Sequence, residues 1–285
     1  MKTPLALFFS LLPFLLLGCS AANPPGGFDG TGPVRIGYSN EAPFAYYDNR
    51  TGQLTGESVE VTRRVLESMG YDRIEGVITE FASLIPGLKA GRFDLIAAGM
   101  WILPPRCREI LFSEPLSCIL QGMLVREGNP LNLHSYVDVT RHASARLGVV
   151  AGGVELMFAR AAGIPESRLF IFPDQPSAVA GLQAGRVDAN AGPAPAHRDL
   201  LRKPSATGLE AIDPFVQPRA AGLPARTCSG IGFRKEDKRH RDEFNRHLTA
   251  FIGTPEHLEL IRAFGFTEAE LPAGMTAEEL CAVAR

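Results

Sequence analysis

One eight-position pattern, G-L-x-A-G-R-x-D, occurs twice, in "GLKAGRFDLIAAG" (Gly87 to Gly99) and in "GLQAGRVDANAG" (Gly181 to Gly192). Each copy reads as a helix stopped by a glycine, where a positive φ carries no Cβ penalty, and followed directly by a strand. The segments ahead of each copy agree. "VRIGYS", "SVEVTRRVLESMG" and "IEGVITEF" precede the first as strand, helix and strand, and "RLGVVAG", "VELMFARAAG" and "RLFIFPD" precede the second in the same order. A β-α-β-α-β unit used twice predicts two α/β lobes, each a mostly parallel sheet flanked by helices. The period is too long for a solenoid.

With 285 residues and 45% apolar content, the chain has enough material for two such cores. "SEPLSCILQGMLVREGNP" (Ser113 to Pro130) reads as a crossover into the second lobe and "CSGIGFRKED" (Cys228 to Asp237) as the return, so two crossovers form a hinge. The terminal helices "DEFNRHLTAFIG" and "PEHLELIRAFG" are assigned to the first lobe. Residues 34–123 plus 231–285 are expected in lobe 1, and 124–230 in lobe 2. The basic-rich stretch "RKEDKRHRDE" mixes both signs and reads as a solvated helix start.

The N-terminus differs in kind. Lys2 is followed by the uncharged run "PLALFFSLLPFLLLG", which reads as a secretory signal over residues 1–18. Leu16-Leu17-Gly18-Cys19 resembles a lipoprotein cleavage site, with Cys19 acylated and a flexible Pro/Gly tether extending to residue 33. An exported chain can form disulfides, and Cys107 with Cys118 is one pairing that would brace the Arg106 loop, buried free thiols being the alternative, with Cys228 to Cys281 as a further possibility. Twenty-nine basic against 31 acidic residues give a net charge of −2, which argues against nucleic acid as partner. The six histidines show no ligand spacing and no CxxC pair is present, so neither metal nor cofactor is expected.

Ligands of open α/β sheets bind outside the carboxyl ends of the strands. Those ends here are "SNEAPFAYYD", "TEF", "AGMWILPPR" (with Gly99), "AGGVE" and "NAGPAP" (with Asn190). Phe44, Phe81 and Trp101 each follow a first-lobe strand and together suit a cation, since each ring face attracts one by roughly 0.5 to 2 kcal/mol. Arg106 follows two stiffening prolines and suits a carboxylate held by two parallel hydrogen bonds. Glu41 suits the positive end of a ligand. In the second lobe, Gly153 and Val154 precede a helix start whose N–H groups would receive an anion. Each of these has a plainer alternative: packed rings, a surface arginine, a solvated turn carboxylate, a tight turn without ligand.

From about Val34 to Phe266 the sequence resembles the bacterial extracellular solute-binding proteins of amino-acid-type ABC transporters. Within that family, "NEAPFAYYD", "TEFASLIPGLKAGRFDLIAAGMWILPPRC", "LGVVAGGVE" and "FPDQPSAVAGLQAGRVDA" resemble its ectoine- and hydroxyectoine-binding members. The resemblance implies the two-lobed type II periplasmic fold, with Glu41, Phe44, Phe81, Trp101 and Arg106 on ligand-contacting positions. It further implies a non-enzymatic, monomeric receptor held at the membrane by its lipid, delivering a zwitterion to permease subunits. "VDANAGPAP" lacks the Asp that binders of α-amino acids carry after this strand, and the cage has Phe and Trp where Tyr and Phe are expected. A hydroxyl-binding group in the second lobe would favour hydroxyectoine. The alternatives are a receptor for another zwitterion such as a polar amino acid or betaine, a sensor module, or a cyclic-carboxylate dehydratase with Glu41 as its acid or base.

Overall fold

The computed structural model describes residues 27–219 and 226–282. Signal segment and Cys19 fall outside these residues. Two five-stranded sheets form the body of the molecule, and their strand orders are the same when read by topology. In the first sheet Val34–Tyr38 lies between Ile74–Ile78 and Leu95–Ile96, parallel to both. Gly232–Phe233 then runs antiparallel between Leu95–Ile96 and Leu111–Phe112. In the second sheet Leu147–Val150 lies parallel between Leu169–Phe172 and Ala189–Pro193. Gln121–Arg126 then runs antiparallel between Ala189–Pro193 and Leu209–Ala211.

All of Gln121–Arg126 therefore belongs to the second sheet, and a boundary between residues 123 and 124 would divide a strand. The chain changes sheet earlier, through Ser117–Ile119, which pairs antiparallel with Thr227–Ser229. These two short strands form the hinge.

The repeated octapeptide does the same work in both lobes. After helix Leu84–Lys89, Gly91 turns the chain with φ 70°, and Asp94 then grips Arg35 through Nε at 3.1 Å, Nη2 at 2.9 Å and the backbone N–H at 2.9 Å. After helix Gln175–Gln183, Gly185 turns with φ 70°, and Asp188 grips Arg146 through the same three groups at 3.0, 3.1 and 2.9 Å. Each clamp ties the third strand to the start of the first, which fixes the parallel register at the end of the sheet away from the cleft.

Helices Lys238–Phe251 and Pro255–Arg262 pack on Glu57–Ser68 in the first lobe, where Phe244, Leu248 and Ile261 are buried. The end of the stretch read as a tether is anchored there too. Phe28 stacks on His240 at 4.6 Å between ring centroids and meets Tyr71 edge-on at 5.6 Å.

The cysteine pairing corrects the expectation of a Cys107 to Cys118 bridge. Cys118 bonds Cys228 and Cys107 bonds Cys281. The first pair sits directly opposite on the two hinge strands, with Cα atoms 3.9 Å apart, so hinge register decides it. The second joins helix Pro104–Glu109 to the terminal helix Ala277–Ala282, which packs against it. Sequence neighbours were the wrong guide, because Cys107 and Cys118 belong to elements that face different partners.

Candidate functional site

A cavity lies between the lobes and is small, with about 40 Å³ open to the centres of water molecules. From the first lobe it is lined by Glu41, Phe44, Phe81, Gly99, Trp101 and Arg106, and from the second by Val150, Gly153, Val154, Glu155, Gln175 and the end of strand Ala189–Pro193. Every first-lobe residue singled out from the sequence is in this wall.

Glu41 and Phe44 reach it through a tight turn. The Glu41 N–H donates to Ala45 O at 2.7 Å, and the Phe44 and Ala45 N–H groups return to Glu41 O at 3.0 Å each. Phe44 is thereby buried, edge-on to Phe266 at 5.8 Å, and Gly99 lies under its ring: a Cβ there would come within 2.6 Å of Phe44 Cγ. With φ +60° as well, Gly99 tolerates no side chain. Tyr46 and Tyr47 go elsewhere, into a hairpin with Gln53–Thr55, and Tyr47 is exposed. Of the three rings in "NEAPFAYYD", one serves the cavity.

Trp101 is placed by the hinge. Its neighbours bond the hinge segment, Ile102 N–H to Cys228 O at 2.9 Å and Gly230 N–H to Met100 O at 3.1 Å, and its ring meets Phe158 of the second lobe at 6.4 Å. Arg106 follows Pro104 and Pro105 on the helix that Cys107 ties down. Its Nη1 donates to Trp101 O and its Nη2 to Gly152 O across the cleft, both at 2.9 Å, while the guanidinium lies 5.3 Å from the centre of the Phe81 ring. Phe81 therefore holds Arg106 in place with one face. The remaining N–H groups stay available for a carboxylate.

The lobes are closed on each other. Gly152, with φ +76°, approaches so near that a Cβ would lie 2.9 Å from Ala82 Cα of the first lobe. Any side chain there would hold the cleft open.

The helix start Glu155–Ala161 differs from what "AGGVE" suggested. Its anion is internal: the Glu155 carboxylate folds back toward its own backbone N–H and over Gly153. The second lobe thus presents a carboxylate rather than bare N–H groups to the cavity. Burial in the cleft pushes the Glu41 carboxyl up to about 8, with Glu155 adding repulsion. Burial also raises Glu155, opposed by its helix N–H, the Gln121 amide and Arg106. The same burial lowers Arg106 to about 10, opposed by Glu155, so it stays charged at neutral pH. Two carboxyls, one guanidinium and apolar ring faces suit a small molecule with an anionic and a cationic end.

Asn190 is fully buried and does not line the cavity. It stands behind Gln175, which does. Sequence reading missed Gln175, although "FPDQP" follows a strand and Asp174 caps the next helix, its Oδ1 accepting the Ser177 N–H at 2.7 Å. Strand-end position was the available signal. Among the described residues no group of His, Cys, Asp or Glu could hold a metal.

Fold and cleft together define a two-lobed solute binder, and residues 34–266 match the family model for bacterial extracellular solute-binding proteins, family 3. The chain belongs to that family. A probable amino-acid ABC transporter periplasmic-binding protein of Sinorhizobium fredii is 37% identical over 254 residues, covering 88% of this chain and 83% of the relative. Among solved structures, EhuB in complex with hydroxyectoine is 32% identical with a TM-score of 0.79, covering 88% of this chain and 95% of that one. An ancestral amino-acid-binding protein described as a precursor of cyclohexadienyl dehydratase shares the fold, at 23% identity and a TM-score of 0.70 over 82% of this chain and 95% of that one.

Proposed function

We propose that this protein is the non-enzymatic receptor of an ABC importer and that it closes on ectoine or hydroxyectoine. The observation that carries this reading is the convergence of Arg106, Glu41 and Glu155 with the rings of Phe44, Phe81 and Trp101 on one small interlobe cavity. Ectoine is a compact zwitterion. Its carboxylate matches the free N–H groups of Arg106, and its flat, charge-delocalised amidinium matches ring faces with two carboxyls in the same wall. A quaternary ammonium has no N–H to offer those carboxylates, which disfavours betaines. The hydroxyectoine complex of EhuB supports the reading from a relative. Outside the cytoplasm, with Cys19 carrying the lipid, the closed lobes would present the solute to permease subunits.

Titration calorimetry of the chain from Ser20 onward, against ectoine, hydroxyectoine, glycine betaine and a panel of amino acids, tests the proposal. Saturable binding of an ectoine, without turnover, is the expected result. Binding of an ordinary amino acid with no response to either ectoine would refute the ligand while leaving the family standing.

A further inference from the structure

The second lobe carries a hydrogen-bond acceptor that the fold has oriented and left without a partner. Asn190 Nδ2 donates to Gly148 O at 3.3 Å, and a carbonyl can only accept, so the other end of the Asn190 amide must be the oxygen. That oxygen accepts from Gln175 Nε2 at 3.0 Å. The Gln175 amide is thereby fixed as well. One N–H of its Nε2 goes to Asn190, behind the wall, and its Oε1 is left without a hydrogen bond although closed off from solvent. Gln175 is part of the cavity wall and Asn190 is not, so the unpartnered oxygen belongs to a side chain that borders the ligand space. Gly192 keeps room for this arrangement, since a Cβ there would lie 3.3 Å from Gln175 Nε2.

A buried acceptor without a donor costs about 1–3 kcal/mol, so closure with this group unmet is unfavourable unless the ligand supplies the donor. The kind of donor follows from what else lines the cavity. Glu41 and Glu155 are the stronger acceptors and take the N–H groups of a cation. The neutral amide oxygen is left for a neutral donor. Resting on the zwitterion reading above, we infer that Gln175 is a specificity-determining residue whose Oε1 receives a ligand hydroxyl, so that the receptor is selective for the hydroxylated member of an otherwise identical pair.

Ectoine and hydroxyectoine are that pair. Calorimetry on the wild type is expected to show hydroxyectoine bound about tenfold more tightly, the size of one buried hydrogen bond. In Gln175→Met, which keeps the volume and removes both amide atoms, the preference should fall to within about twofold, mostly through weaker hydroxyectoine binding. Ectoine affinity in the same variant shows that the lobes still fold and close. Equal affinities in the wild type, or a preference that survives Gln175→Met, or equal losses for both ligands, would overturn the inference while leaving the ectoine reading intact. Failure of the wild type to bind either compound would overturn both.

Discussion

The two lobes are built alike at one end of their sheets and unlike at the other. Below the cleft, Arg35 with Asp94 and Arg146 with Asp188 are the same clamp in the same place. At the cleft the first lobe offers three rings, a guanidinium and the Glu41 carboxyl, whereas the second offers glycine backbone, the Glu155 carboxyl and one amide. A strand-helix unit needs its register held wherever it is used, so the clamp persists in both copies. Ligand chemistry needs complementary walls, so the copies diverge there. The first lobe supplies bulk and the guanidinium, and the second supplies close approach and a neutral amide.

Arg106 is the sharpest point of that division. Replacing it by Ala removes the carboxylate partner and the bond to Gly152 O together, and should weaken binding by about 3 kcal/mol, roughly a hundredfold, in calorimetry. An effect below about tenfold would mean the first lobe does not own the anionic end of the ligand.

The duplicated clamp is not equally buried, and stability should register the difference. Asp94 is 3% exposed with Arg35 at 16%, whereas Asp188 is 11% exposed and its partners Arg146 and Arg126 are more than a third exposed. Asp94→Ala should cost about 3 kcal/mol in denaturant unfolding and Asp188→Ala about 1 kcal/mol, because solvent screens the second pair. Equal costs would show that burial is not what distinguishes the lobes.

A smaller change is expected at Trp101. Trp101→Ala removes a ring face and the contact to Phe158, for a loss of about 1–2 kcal/mol in binding. As the only Trp in the chain, it also makes its own fluorescence a direct reading of closure.

Proton linkage at Glu41 gives the subtlest test. Its carboxyl, raised to about 8, is protonated in the free protein at neutral pH, and a bound cation favours the carboxylate, so binding releases a proton. Affinity should therefore rise with pH, by at most about tenfold per unit, and level off above pH about 8. Glu41→Gln should flatten the profile, and calorimetry in buffers of different ionisation enthalpy should count the proton directly.

Much of this was legible in the chain. The octapeptide repeat announces two lobes, because a helix stop, a tight turn and a clamping Asp are local requirements written in adjacent residues. Strand-end position picked out Glu41, Phe44, Phe81, Trp101 and Arg106, since parallel α/β units place those loops on one side. What adjacency could not convey was pairing across distance. Cys118 meets Cys228 and Cys107 meets Cys281 only because the hinge register and the packing of the last helix bring them together.

The same limit applies inside the cleft. Glu155 turning onto its own helix start, Phe81 lying against Arg106, and Asn190 standing behind Gln175 are choices among partners that the linear order leaves equivalent. Local backbone preference and hydrophobic period determined the two lobes from sequence alone. Tertiary structure decided which polar atoms meet, because a hydrogen bond depends on distances of a few tenths of an ångström that exist only once the lobes have folded and closed.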